Sequence, residues 1–285
     1  MNRPTLAVGS AALAIALAVV PSGRSLEAQE LPAYLRDRGT GVRTSLLGSY
    51  VRQGELLVYP FFEYYSDRNL EYKPSELGYG LNKDFRGRYR ASEGILFFGY
   101  GLTHDIALEF EAAVISADLR KSPTDTATVP ARVRESGLGD VEGQIRWRFQ
   151  RETETRPEFF TYFGTVLPLQ KSRKIIGTQY WEHFFGIGLV RGFRWGTLTV
   201  RTAAGYDHGT KQFDAGEYAI EWLRRLSPAW KVVAAIEGNQ IDEVSFLTEV
   251  QWFINRHAVI KINNGLGLTP NATDFAPEVG IMFSF

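Results

Sequence analysis

The stretch Phe275–Phe285 alternates bulky apolar side chains (Phe275, Pro277, Val279, Ile281, Phe283, Phe285) with small or polar ones and ends on an aromatic residue. Successive side chains of a strand point to opposite faces, so this stretch has one greasy face and one mixed face. Such a strand suits either a soluble core or the wall of a membrane barrel. Recurrence along the chain and a route to the membrane decide between the two.

The pattern recurs. In Asp140–Phe149, Val141, Gly143, Ile145, Trp147 and Phe149 alternate with Asp140, Glu142, Gln144, Arg146 and Arg148, giving an apolar face and a charged face. Ile106–Ile115, Thr197–Tyr206, Gly216–Leu223 and Val244–Phe253 repeat the scheme, and weaker versions cover Glu55–Tyr65, Ser92–Tyr100, Phe159–Leu167, Tyr180–Val190, Lys231–Asn239 and Ala258–Gly267. With the terminal strand the count is about 12, an even number that suits a single-chain bacterial barrel with both ends in the periplasm. Beyond the amino-terminal leader no apolar run approaches the roughly 20 residues of a spanning helix, so a membrane-crossing structure has to be a closed sheet. The predicted fold is therefore all-β: a transmembrane antiparallel up-and-down β-barrel over residues 54–285. The three longest predicted connections, Ser66–Ala91, Ser116–Gly139 and Pro168–Gln179, all fall on the external side, as such barrels require.

The leader supplies the route. Arg3 precedes an apolar run from Leu6 to Val20, followed by Pro21, Ser22, Gly23 and a small residue at Ala28. This is the pattern of a cleaved secretory signal peptide over residues 1–28, with 29–53 as a periplasmic N-terminal segment and the outer membrane of a Gram-negative bacterium as destination. The 32 basic and 32 acidic residues balance, which argues against a nucleic-acid partner. The absence of cysteine excludes a disulfide scaffold and thiolate metal sites. Aromatic residues make up 13%, and tryptophan falls mainly at the inner ends of strands (Trp147, Trp222, Trp252) or in and beside inner turns (Trp195, Trp230), where a bilayer interface attracts indoles. The lipid bilayer is thus the first expected partner.

If the apolar faces meet lipid, the opposite faces line a lumen. They carry Glu63, Glu93, Glu109, Glu111, Asp140, Glu142, Glu221, Glu249 and Glu278, against fewer basic residues, chiefly Arg146, Arg148, Arg201 and Lys261. Charges in a narrow lumen must pair or stay hydrated. Either an acidic constriction favours cations and amine-bearing solutes, or glutamates and arginines interlock and hold the barrel shut. On the external side, Lys83, Arg86, Arg88 and Arg90, and Lys171, Arg173 and Lys174, form basic groups that either bind lipopolysaccharide phosphates or are simply solvated.

Enzymatic chemistry finds no foothold. His104, His183, His208 and His257 stand singly over turns and strand ends, with no serine beside them in a nucleophile setting and no close histidine pair for metal. No catalytic residue, cofactor or metal is expected, and no grouping is similar to the histidine, serine and asparagine of outer-membrane phospholipase.

Several short stretches resemble the outer-membrane family named for the MetA pathway of phenol degradation, often labelled transporters: Tyr100, Gly101, Leu102, Thr103; Ser136, Gly137, Leu138, Gly139, Asp140; Leu167, Pro168; and the terminal phenylalanine. The chain departs from that pattern after Pro168, with Leu169 and Gln170 in place of threonine and glycine. The resemblance implies passage of small aromatic or hydrophobic solutes. The leading expectation is an outer-membrane channel for passive uptake of small molecules; a closed structural barrel and, further off, a lipid-acting barrel enzyme are the alternatives. The aromatic terminus at Phe285 is expected to serve as the recognition tag for the outer-membrane assembly machinery.

Overall fold

The computed structural model describes residues 31–209 and 211–285, so the predicted signal peptide lies outside the described residues. A 3-10 turn, Ala33–Leu35, leads into two short strands, β1 (Val42–Arg43) and β2 (Tyr50–Val51), paired as a small hairpin. The remaining strands are β3 (Leu56–Tyr72), β4 (Phe85–Gly101), β5 (Ile106–Arg120), β6 (Arg132–Gln150), β7 (Glu158–Val166), β8 (Glu182–Phe193), β9 (Gly196–Asp207), β10 (Gln212–Arg225), β11 (Trp230–Gly238), β12 (Val244–Phe253), β13 (Ala258–Gly267) and β14 (Phe275–Ser284). Each pairs antiparallel with its sequence neighbour, and β14 pairs with β3, which closes a twelve-strand barrel and leaves no free edge. The architecture is the one the period-two pattern predicts. Among the described residues no helix is long and apolar enough to cross a membrane.

Alternation sets the two faces. Leu108, Phe110, Ile145, Phe163, Ile187, Ile220, Val250 and Val279 point outward and stay exposed, forming an apolar belt. Trp230 stacks on Trp252 and Phe193 on Trp195 at its inner edge. An exposed apolar band with an aromatic rim is what a strand wall presents to lipid.

Two of the expected external loops are much shorter than predicted. In place of Ser66–Ala91 and Ser116–Gly139 the connections are only 73–84 and 121–131, because β3 to β6 run far past the apolar belt. The strands keep their period but exchange the polarity of their faces. Arg88, Arg90, Arg120, Arg132 and Arg134 now point outward into water, while Tyr72, Phe85 and Leu119 point inward and pack with Leu77 and Val129 of the loops. A template of apolar-out and polar-in strands stops where that exchange begins. Gly137, expected to turn the chain back from a loop, sits inside β6 paired with Ile115, with φ of +149°. Just after it a bulge at Gly139–Asp140, opposite Ala113, switches the inward-facing positions of β6 from odd ones such as Glu135 to even ones such as Glu142.

The inward apolar cluster is what keeps the protruding sheet together. Leu119→Ala is expected to cost about 2–5 kcal/mol, as large-to-small core changes do, and to loosen only the mouth. Limited proteolysis should then cut within 121–131 while the heat-modifiable gel mobility of the barrel persists; an uncut chain would show that Leu119 does not hold the extension.

Candidate functional site

Residues 31–53, read from the sequence as a periplasmic segment, run into the inner end of the barrel. Val42 and Val51 are fully buried against Leu57, Tyr59, Phe97, Ala107, Val259 and Met282 of the wall. The hairpin turn 44–49 reaches highest, and Gly48 adopts a left-handed φ of +59° with room for no side chain: a Cβ would lie 2.6 Å from Val233 Cγ2 and 2.7 Å from Gln251 Nε2. Lower down, the chain passes Gly192 so closely that a Cβ there would lie 1.8 Å from the Tyr34 carbonyl oxygen.

The wall holds this hairpin mainly with charge. Arg38 donates to Glu152 at 2.8 Å and Glu158 at 2.9 Å, all with essentially no exposure. Arg148 donates to the carbonyls of Thr40 and Gly41 at 3.0 Å, to that of His104, and pairs with Glu158 at 3.3 Å. Arg43 pairs with Glu221 at 2.8 Å, and Glu221 also accepts from Gly48 N. Glu109 pairs with Arg146 at 2.9 Å and accepts from the amide and hydroxyl of Ser45. Lys261 donates to the Leu47 carbonyl at 2.9 Å and Ser49 Oγ at 3.1 Å while pairing with Glu249 at 3.1 Å. Gln251 completes the clamp by donating to Gly48 O and Glu249. At the inner turn, hydrogen bonds from Arg151 and Arg148 hold the Asp105 carboxyl below its usual range, against a smaller opposing effect of burial.

Six of the residues read as lumen-lining, Glu109, Arg146, Arg148, Glu221, Glu249 and Lys261, therefore meet the hairpin layer. Glu63, Glu93, Glu111, Asp140, Glu142, Arg201 and Glu278 lie above it and line a chamber of about 620 Å³ whose floor is Leu46 and Leu47. Arg201 pairs with Glu237 at 3.0 Å. Phe61 and Tyr65 add aromatic wall to the chamber, and Phe61 stacks on Tyr59 with ring centroids 4.6 Å apart. The connection between β7 and β8, 167–181, leans into the mouth above: buried Ile176 packs on Ile95, Ala113 and Ile115, and Thr178 N donates to Asp140 at 2.6 Å. Below the hairpin tip a second cavity of about 230 Å³, lined in part by Gly48, Ser49, Gln251, Phe253 and Ser284, faces the inner end.

Sequence reasoning did not find the hairpin, the inward aromatics or the inward loop. The signal that was available is in Gly39, Gly41 and Gly48 flanking a short alternating stretch, and in apolar residues on the nominally polar faces, such as Tyr59, Phe97 and Phe160. The histidines also sit differently from the scattered arrangement expected: His183 and His208 meet at the outer rim with centroids 5.2 Å apart, beside Trp181 and Tyr206. No group of three or more histidines and carboxylates is placed to hold a metal among the described residues.

Fold and lumen together define a twelve-strand barrel of the outer-membrane type, filled at its inner end by its own N-terminal segment. Among solved structures the chain is similar to the COG4313 outer membrane channel from Pseudomonas putida F1, with a TM-score of 0.58 and 13% identity over 82% of this chain and 96% of that one. Looser likenesses are to the translocator domain of the autotransporter NalP from Neisseria meningitidis (TM-score 0.49, 10% identity, 82% of this chain and 89% of that one) and to the Ralstonia pickettii toluene transporter TbuX (TM-score 0.42, 10% identity, 81% and 89%). At such identities the first likeness is one of fold, and the other two carry no further weight. No protein-family model matches the chain and no curated protein matches its sequence, so the phenol-degradation resemblance stands on its short motifs alone.

The Lys261 clamp has a measurable consequence. Lys261→Met leaves Glu249 buried without its cation, a change that costs about 3–5 kcal/mol in comparable pairs, whereas replacing both partners with apolar residues is near neutral. A Leu47→Cys reporter should therefore react much faster with a membrane-impermeant maleimide in Lys261→Met than in the parent, and slow down again in Lys261→Met/Glu249→Leu. Equal rates in all three would show that the hairpin tip is held by other contacts.

Proposed function

We propose that the chain is an outer-membrane channel for passive passage of small molecules, with the N-terminal hairpin as its closure. One observation carries the reading: the outer chamber and the inner cavity are separated by the hairpin tip, whose Leu46 and Leu47 floor the first and whose Gly48 and Ser49 line the second. The apolar belt and closed hydrogen bonding support a lipid environment, and the aromatic surfaces of Phe61 and Tyr65 support solutes with aromatic or hydrophobic parts. In a planar bilayer the full chain should give small, cation-favouring currents, and removal of residues 31–53 should raise conductance several-fold. A barrel that stays sealed after that removal, yet still shows heat-modifiable mobility, would contradict the channel.

A closed structural barrel is the second reading, favoured by the fully buried ion pairs between the N-terminal segment and the wall, Arg38 with Glu152 and Glu158 and Arg43 with Glu221. The same deletion separates the two readings, since a purely structural plug leaves a collapsed and impermeable barrel behind when lost.

For the envelope partners, the outer face offers Arg88, Arg120 and Arg132 directly opposite one another on β4, β5 and β6, just beyond the apolar belt. Of the basic loop residues read as either binding lipopolysaccharide or simply solvated, Arg86 is engaged by Glu71 and Asn271, and Lys83 lies over the Phe85 ring. Arg132 is held by Asp118, so Arg88 and Arg120 are the better phosphate site, because like charges at cross-strand distance favour an anion between them. Changing Arg88 and Arg120 to glutamine should strip most co-purifying lipopolysaccharide from the barrel; undiminished lipid would remove this assignment. Phe285, exposed at the β14–β3 seam where its backbone exchanges hydrogen bonds with Leu56, is the proposed tag for the assembly machinery.

A further inference from the structure

The chamber above the hairpin contains an arrangement that a folded chain does not favour by itself. Glu278 lies directly opposite Glu63 on β3, and Glu63 directly opposite Glu93 on β4, so three carboxylates stand side by side across adjacent strands on the inward face. Glu111 and Glu142 repeat the juxtaposition across β5 and β6. Directly opposed side chains have Cβ atoms about 4.5–5.5 Å apart, and like charges so placed repel. Among the described residues no lysine, arginine or histidine forms an ion pair with any of these five; the nearby basic groups are engaged elsewhere, Arg43 by Glu221, Arg146 by Glu109, Arg201 by Glu237 and Lys261 by Glu249.

A second observation points to a ligand. Asn263, on the inward face of β13 between Glu249 and Glu278, is only 9% exposed and lines the chamber, yet its side-chain amide has no hydrogen-bond partner among the described residues. Its amide opens on the chamber, where a bound group can meet it. The barrel also displays the chemistry that suits the open positions. The ammonium of Lys261 sits 5.1 Å from the centre of the Tyr59 ring and 3.1 Å from Glu249. Phe61 and Tyr65, beside the Glu278, Glu63 and Glu93 row, offer the same pairing of carboxylate and aromatic face with no resident cation.

We infer that this chamber binds organic ammonium compounds, a protonated amine on a small aromatic or aliphatic skeleton. The ammonium lies against the row of carboxylates, Asn263 accepts one of its protons, and the skeleton rests on Phe61 and Tyr65. The cavity of about 620 Å³ has room for such a solute. A bare metal ion would satisfy the charge but leave the aromatic wall unused. The inference deepens the channel reading, since a solute must be able to reach the chamber.

The test is calorimetric titration of the full chain in detergent at low salt with 2-phenylethylammonium chloride, its neutral counterpart 2-phenylethanol, and magnesium chloride. The amine is expected to bind at least about tenfold more tightly than the alcohol, and Glu63→Gln/Glu93→Gln/Glu278→Gln to lower amine affinity by a similar factor without touching the alcohol. Heat-modifiable mobility checks that the variant folds; should it fail, single Glu63→Gln is expected to weaken the amine about threefold. Equal binding of amine and alcohol, or magnesium bound more tightly than the amine, would overturn the inference. Amine binding with a bilayer that stays sealed even without residues 31–53 would support it and remove the channel reading, whereas conductance without amine preference would do the reverse.

Discussion

A charge inside a closed β wall must find a partner or keep its water, and most of this molecule's interior is arranged around that constraint. In the inner layer, glutamates, arginines and a lysine face a segment of the chain's own N-terminal region. Arg38, Arg43, backbone carbonyls and amides from Thr40 to Ser49 satisfy them. Each pair is fully buried, where attraction between charges only just offsets the loss of water. Such contacts therefore contribute geometry more than stability. They specify where the hairpin sits and in what register, while the apolar contacts of Val42 and Val51 supply the favourable burial.

Above that layer the constraint is met differently. The carboxylates of the chamber have no basic partners and keep open space in front of them. The two readings of lumen charge that the sequence leaves open, interlocked pairs or an acidic constriction, thus both occur, at different heights along the same strands. In the proposed channel a solute meets carboxylate and aromatic surface first and the clamped hairpin tip second. On that proposal the chamber selects and the tip closes.

The outer third of the barrel follows from the same physics with the solvent changed. Where β3 to β6 leave the apolar belt, water surrounds the sheet, so charged side chains take the outer face and the apolar ones turn inward to make a small core of Tyr72, Leu77, Phe85, Leu119 and Val129. Strand period is unaffected because backbone pairing sets it. Only the polarity of the faces responds to the medium, and the arginines stand just beyond the apolar belt.

Alternation in stretches such as Asp140–Phe149 and Phe275–Phe285 was enough to predict strand number and antiparallel order, because a strand's period is a local property of its backbone. Asp140, Arg146, Glu249 and Lys261 are assigned to the charged faces on that ground alone. What local pattern does not contain is which groups meet across the barrel. Glu109 and Glu111 are two residues apart and look equivalent in sequence, yet one is closed off by Arg146 and Ser45 and the other opens on the chamber. The hairpin's position, the inward loop and the rows of facing carboxylates are set by register and by contacts between residues far apart in the chain, so only the tertiary structure decided them.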